Sequence, residues 1–280
     1  MGRRAAVLGK PVSHSLSPVL HRAAYAAMGL TDWTYDAFEC DETGLWGHLE
    51  GMDEEWAGLS LTMPLKRTAL KLVDTVSELA VDVGGANTIV LREGRRHGDN
   101  TDVYGIVTAL AEAGLGEPES ALVLGGGATA ASALAALSRL GLTSAGLAVR
   151  TPERAAATAA VGERFGLDVR VGSLDLLPGR LAEKLVISTL PGRAGDAYAE
   201  VVAASGADLF DVVYAPWPTA LALAVQDAGG RVVGGFEMLL HQAVRQVALM
   251  TGRDDVPVEA MRAAGAAELA RRAAEAQIIP

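Results

Sequence analysis

The chain has 280 residues, half of them hydrophobic, and a formal net charge of −10. That length fits one large domain or two modest ones with a sizeable core, and the acidic balance argues against a nucleic-acid partner, which needs a basic face. A single cysteine, Cys40, excludes a disulfide framework within the chain and points to a reducing compartment.

The apolar run behind Met-Gly-Arg-Arg is too short for a signal peptide and ends at Lys10-Pro11. No stretch has enough unbroken apolar residues to span a bilayer. The expectation is a soluble, cytoplasmic protein. Residues 4–9 read as a buried strand, followed by the turn Gly-Lys-Pro-Val-Ser-His-Ser-Leu-Ser-Pro. Ser17 before Pro18 reads as a hydroxyl N-cap with proline at the first helical position. Ser15 and His14 have no such structural explanation, and hydroxyls beside a helix start can form an anion site. A helix to Met28, a strand over 33–38, a helix over 43–50 and a strand over 56–61 follow.

That last strand runs into Thr62-Met63-Pro64-Leu65-Lys66. Lysine at a helix start opposes the helix dipole, so either it is a solvated surface lysine or something else keeps it there. Residues 77–84 read as a helix, and 84–88 (GGANT) lead into a strand over 89–91. Residues 92–98 read as a polar turn. The stretch 98–102, GDNTD, offers Asn100 and Thr101 as caps to a helix marked by Val103, Ile106, Val107 and Leu110.

The second half has a βαβ rhythm, the signature of a parallel sheet covered by helices. Strand 121–124 is followed at once by Gly125-Gly126-Gly127-Ala128-Thr129-Ala130 and a helix to Leu140. Strand, G-x-G-x-x-A, helix is the context of a dinucleotide fingerprint, with a tight turn at Gly125, close backbone approach at Gly127 and a small residue at Ala130. After the next strand, 146–149, an NAD site places an acid. Here Arg150, Thr151 and Arg154 stand instead, and guanidinium suits the 2′-phosphate of NADP; Glu153 lies in the same loop. A helix is expected over 153–161. Further strands are expected at 168–171, 185–188, 208–213 and 231–233, with helices at 196–204, 219–228, 236–250 and about 257–276. The last of these, with Arg and Glu on one side and alanine on the other, reads as a packing and solvation element. The five histidines show no close metal-ligand spacing, so no metal is expected.

SHSLSP, SLTMPLK, GANT, GDNTD, the glycine turn, the tyrosine turn at Tyr214 and GFEMLLHQA occur in the order seen in shikimate dehydrogenases. The chain resembles that family over nearly its whole length. The resemblance implies a two-domain α/β enzyme: a substrate domain from residues 1–102 and 236–280, a Rossmann domain from 103–235, and an active cleft between them. It implies NADP-dependent, reversible reduction of 3-dehydroshikimate to shikimate in aromatic amino-acid biosynthesis, by a monomer or homodimer. Ser15 and Ser17, assisted by Tyr214, would bind the substrate carboxylate. Thr62, Lys66, Asn87, Asp102 and Gln242 would hold the ring hydroxyls, with Lys66 and Asp102 as catalytic pair. Gly125, Gly127, Ala128 and Ala130 would form the pyrophosphate turn, and Arg150, Thr151 and Arg154 would bind the 2′-phosphate. Gly235 and Met238 would border the nicotinamide. The chain departs from the family pattern at Ser60 and Val149, each commonly Asn, and at Ser188-Thr189-Leu190, usually Asn-Ala-Thr. The alternatives are an NAD-dependent quinate/shikimate or aminoshikimate dehydrogenase, a dehydrogenase of another small hydroxy acid, and a non-catalytic sensor of shikimate or nucleotide on the same fold.

Overall fold

The computed structural model describes residues 2–177 and 181–278, and within them the strands form two six-stranded sheets. The chain divides into two compact units at Thr101/Asp102 and again at Leu239/Leu240.

The first unit begins with β1 (Arg4–Gly9), α1 (Ser17–Ala27), β2 (Thr34–Glu39), α2 (Leu45–Glu50), β3 (Trp56–Leu61) and α3 (Lys66–Ala69). It continues with β4 (Thr75–Val76), α4 (Glu78–Val83), β5 (Thr88–Arg92) and β6 (Arg95–Asp99). Its sheet runs β2-β1-β3-β5-β6-β4. β1 pairs in parallel with β2 and β3, while β5 is antiparallel to both β3 and β6. β1 and β3 are nearly continuous apolar runs because both their faces are covered. Ala6, Leu8, Leu59, Leu61 and Ile89 pack with Leu45, Leu49, Leu65, Ala69 and Ala80 of the helical pieces.

Residues 92–98 are not a simple polar turn. Arg92 and Arg95 pair across a two-residue hairpin whose central residues Glu93 and Gly94 both have positive φ (51° and 71°), and Arg95–Asp99 is a strand. Such a tight loop matches the twist of the strands it joins. The polar side chains of β6 are largely exposed or half-buried, so an apolar period was missing where a strand nevertheless forms.

The second unit holds α5 (Asp102–Glu112), β7 (Ala121–Leu124), α6 (Ala128–Arg139), β8 (Ser144–Val149), α7 (Ala156–Arg164) and β9 (Asp168–Ser173). Then come β10 (Leu185–Ser188), α8 (Ala199–Ser205), β11 (Asp208–Asp211), α9 (Ala220–Asp227) and β12 (Val232–Gly234). The order β12-β11-β10-β7-β8-β9 is parallel throughout. Counted from β7, this is the 3-2-1-4-5-6 doubly wound arrangement, which reverses direction between β7 and β10. Leu122, Leu124, Val186 and Leu209 line one face against Val202 of α8 and Leu221 and Val225 of α9. The helix expected from residue 153 begins three residues later. Pro152–Arg154 forms one turn of 3-10 helix, and the α-helix starts only after Ala155.

The helix α10 (Gly235–Thr251) returns the chain to the first unit, and α11 (Val258–Ile278) packs against α1. Among the described residues no helix is long and apolar enough to cross a membrane.

Candidate active site

In the first unit the candidate residues gather at one edge of the sheet. β1, β3 and β6 end there, and antiparallel β5 begins there. Thr62, the residue after β3, is tied to β1 through its N–H to Leu8 O (2.9 Å). Leu61 N–H bonds Asn87 O at 2.7 Å, and Asn87 N–H bonds Asp99 O at 3.0 Å, so GANT and GDNTD meet at the same edge. Half-buried Lys66 opens α3, with its carbonyl accepting from Ala86 N–H at 2.8 Å. Gly85 passes close to the Lys66 side chain, since a Cβ there would lie 3.4 Å from the lysine Cβ.

Asn87 is buried and fully engaged. Its Oδ1 accepts from Thr101 N–H (2.8 Å) and Thr88 Oγ1 (2.9 Å), and its Nδ2 donates to Gln242 Oε1 (2.8 Å) and Thr101 Oγ1 (3.0 Å). Gln242 sits on α10. Gln246, four residues further along the same helix face, donates to Thr88 Oγ1 (3.1 Å) and Asn87 O (3.3 Å). The side chains of Asn100 and Thr101, read from sequence as helix caps, are drawn into this edge as well, Asn100 Nδ2 donating to Gly85 O at 2.8 Å.

The serine loop lies after β1. Ser17 is not the N-cap of α1: Leu16 occupies that position and no side chain caps the helix. Instead Ser15 Oγ accepts from Ser17 N–H at 3.2 Å, and the Ser17 side chain is buried. The loop is held from behind by Arg272 of α11, which donates to His14 O (2.7 Å) and Ser15 O (3.5 Å) and pairs with Glu268 at 2.7 Å. Hydrogen bonds from Arg271 and Arg272 hold the Glu268 carboxyl down at about 2. This helix therefore does more than pack and solvate, the role its sequence suggests.

In the second unit Asp102 is the buried first residue of α5. Gly125 turns sharply after β7 with φ 105°, and a Cβ there would stand 2.5 Å from Thr189 Oγ1 at the end of β10. The turn therefore lies at the point where the sheet reverses order, which is where doubly wound folds take their ligands. Gly126 and Gly127 are exposed, nothing lies within 4 Å of a Cβ at Gly127, and the N-terminus of α6 carries no side-chain cap. Ala128 opens that helix and Ala130 is buried in it. An open cradle of free N–H groups at a helix start fits a pyrophosphate. Arg150, Thr151 and Arg154 are all exposed beyond β8. Sequence reading missed Thr158 on α7, a buried residue whose Oγ1 donates to Gly126 O at 2.7 Å. One hydroxyl thus joins the glycine turn to the helix that follows the arginines.

Tyr214 is half-buried after β11, in a loop tied down by Asp211. The Asp211 carboxylate accepts from Thr219 Oγ1 (2.8 Å) and Val213 N–H (3.2 Å), and burial pushes its carboxyl above the ordinary range. Trp217 lies over Gly234, and Gly235 runs against the Val212 carbonyl so closely that no side chain fits. Met238 is buried one turn into α10.

Residues 7–89 match the family described as shikimate dehydrogenase substrate binding domain, and residues 235–264 match shikimate 5′-dehydrogenase C-terminal domain. A shikimate dehydrogenase (NADP(+)) from one strain of Thermus thermophilus is 39% identical over 279 residues, covering 96% of this chain and 98% of the relative. The chain belongs to the shikimate dehydrogenase family. Among solved members, the Mycobacterium tuberculosis shikimate dehydrogenase superposes with a TM-score of 0.87 at 42% identity, covering 95% of this chain and 99% of that one. The shikimate 5-dehydrogenase of a second Thermus thermophilus strain, solved in complex with NADP(H) and shikimate, superposes with a TM-score of 0.83 at 33% identity, over 94% of this chain and 98% of that one. The α/β architecture expected of a shikimate dehydrogenase is the one observed, with the doubly wound sheet following the mixed one.

Proposed function

We propose that this chain is an NADP-dependent shikimate dehydrogenase that interconverts 3-dehydroshikimate and shikimate. The observation that carries the reading is the edge of the first sheet. There Asn87 bonds Gln242 through its amide and Leu61, the residue before Thr62, through its carbonyl, with Lys66 pinned beside them through Ala86. Hydroxyl and amide groups fixed in this way suit a polyhydroxylated ring, and Ser15 and Ser17 on the neighbouring loop suit its carboxylate.

Bound NADP supplies the hydride acceptor for shikimate oxidation and, when reduced, the hydride donor for the reverse. The glycine turn, Ala128 and Ala130 fit its pyrophosphate; Arg150, Thr151 and Arg154 fit its 2′-phosphate. Gly235 and Met238 are the residues we assign to the nicotinamide end, and Tyr214 to the substrate carboxylate. In the reductive direction a ketone oxygen gains negative charge and needs a proton. The Lys66 ammonium gives that proton and steadies the charge, and in the oxidative direction neutral Lys66 removes the hydroxyl proton. Asp102 is the residue we assign as the second catalytic group. Gln242 and Thr62 keep the reacting carbon oriented by holding the other ring hydroxyls, and Asn87 serves the substrate site by fixing Gln242 for that task.

The test is purified protein with shikimate and either NADP+ or NAD+, following reduced cofactor by absorbance, with quinate in parallel. Turnover of shikimate with strong NADP+ preference supports the proposal. Turnover with NAD+ alone, or of quinate alone, overturns its specificity, and binding of shikimate without turnover favours the sensor.

A further inference from the structure

A second line of polar groups runs beneath the sheet edge, and Tyr35, Ser60 and Gln246 within it have been given no role toward substrate. Tyr35, the second residue of β2, is completely buried, and its hydroxyl donates to Ser60 Oγ at 2.6 Å. Ser60 Oγ donates to Gln246 Oε1 at 2.8 Å. Gln246 Nε2 donates to Asn87 O and to Thr88 Oγ1, and Thr88 Oγ1 donates to Asn87 Oδ1. The direction of every donor follows from the fixed ends. A backbone carbonyl only accepts, so Gln246 must turn its amide nitrogen toward Asn87 and its oxygen toward Ser60. Ser60 must then give its hydrogen to Gln246 and accept from Tyr35. The Tyr35 hydrogen is spent on Ser60, which fixes the direction of the chain from the tyrosine to Asn87.

The tyrosine is held rigidly for this task. The His21 ring stacks on it with centroids 3.9 Å apart, and His21 Nδ1–H donates to Ser17 O at 2.9 Å. Ser17 is thus gripped at its carbonyl by a His21 ring that itself rests on Tyr35.

Resting on the functional reading above, we propose that Tyr35, acting through Ser60 and Gln246 on one side and through the stacked His21 ring on the other, is a positioning residue that couples Ser17 at the carboxylate end of the substrate to Asn87 and Gln242 at the ring-hydroxyl end. Ser60 works inside the protein, its one hydrogen committed to Gln246. The two ends lie far apart in sequence, and the stacked His21 ring together with the hydroxyl chain keeps the spacing between them.

The test compares wild type with Tyr35→Phe, Ser60→Ala and the double variant. Shikimate and NADP+ dissociation constants are measured by calorimetry, alongside kcat and KM. Tyr35→Phe keeps the ring and its stack on His21 and removes only the hydroxyl. We expect a roughly tenfold weaker shikimate affinity, the effect of one buried hydrogen bond expressed at the ligand. NADP+ affinity should stay within about twofold, and the loss should fall mainly on the KM for shikimate. Ser60→Ala should show the same split, and the double variant should be no worse than the poorer single one, because members of one chain do not add. Unchanged shikimate affinity in both single variants, an equal loss toward NADP+, or multiplying losses in the double variant overturns the inference. Wild type that binds shikimate without turning it over overturns the functional reading and leaves the binding comparison decisive; wild type that does not bind shikimate overturns both.

Discussion

Replacing Asn87 by alanine tests the sheet edge at its most connected point. The substitution removes the acceptor of Thr101 N–H, and Thr101 is only 1% exposed, so water does not readily replace it. A buried donor left without a partner costs about 1–3 kcal/mol, and the lost bond to Gln242 adds about 1 kcal/mol. The first unit should therefore lose about 2–4 kcal/mol of stability. At about 1.4 kcal/mol per factor of ten, that corresponds to roughly 30- to 1000-fold faster hydrogen exchange at the Thr101 amide, measured by NMR. Gln242, no longer held at 2.8 Å, loses its fixed orientation, and the KM for shikimate should rise by at least about tenfold. Asn87→Asp separates the two effects: it keeps the acceptor for Thr101 but has no amide nitrogen for Gln242. It should protect the Thr101 amide and still raise KM. Wild-type protection of Thr101 in Asn87→Ala would refute the hydrogen-bond account of this edge.

Thr158→Val removes the hydroxyl that holds Gly126 O and nearly preserves volume. It should raise the KM for NADP+ by roughly tenfold, the effect of one buried hydrogen bond, and leave shikimate affinity unchanged; equal losses for both ligands would show a general folding defect instead. His21 is fully buried, and desolvation pushes its pKa from 6.5 down to about 4. Between those values the unfolded chain binds a proton that the folded chain does not, so this contribution is intact above pH 6.5 and is lost as pH falls toward 4. The loss reaches about 3 kcal/mol across the window. Urea melts of wild type and His21→Phe over that range should converge as pH falls, and parallel curves would refute the assignment.

Much of the fold was legible because its signals are local. The glycine turn stands directly between β7 and α6, and the spacing of strands and helices in the second unit announced a parallel sheet. The errors arose where a local pattern was ambiguous. The β6 strand lacks apolar alternation, and its hairpin depends on positive φ at Glu93, a residue that seldom marks such a turn. Ser17-Pro18 looks like a cap, but Leu16 takes that position and the Ser17 side chain is buried, its carbonyl held by His21. The positioning groups were hidden for a different reason. Ser60 and Gln246 are 186 residues apart, and Arg272 reaches a carbonyl 258 residues before it. One local clue did exist, since Gln246 repeats Gln242 four residues later on an otherwise apolar helix face. The tether from Thr158 to Gly126 spans 32 residues and had no counterpart in any motif.

The most direct test of the proposed chemistry is the turnover of Lys66→Ala with saturating shikimate and NADP+, paired with shikimate binding by calorimetry. The account predicts that kcat falls by roughly 10²–10⁴, the usual loss for a general acid–base group, while shikimate still binds. A variant that binds shikimate and turns over within a few-fold of wild type would remove Lys66 from the reaction and contradict the mechanism.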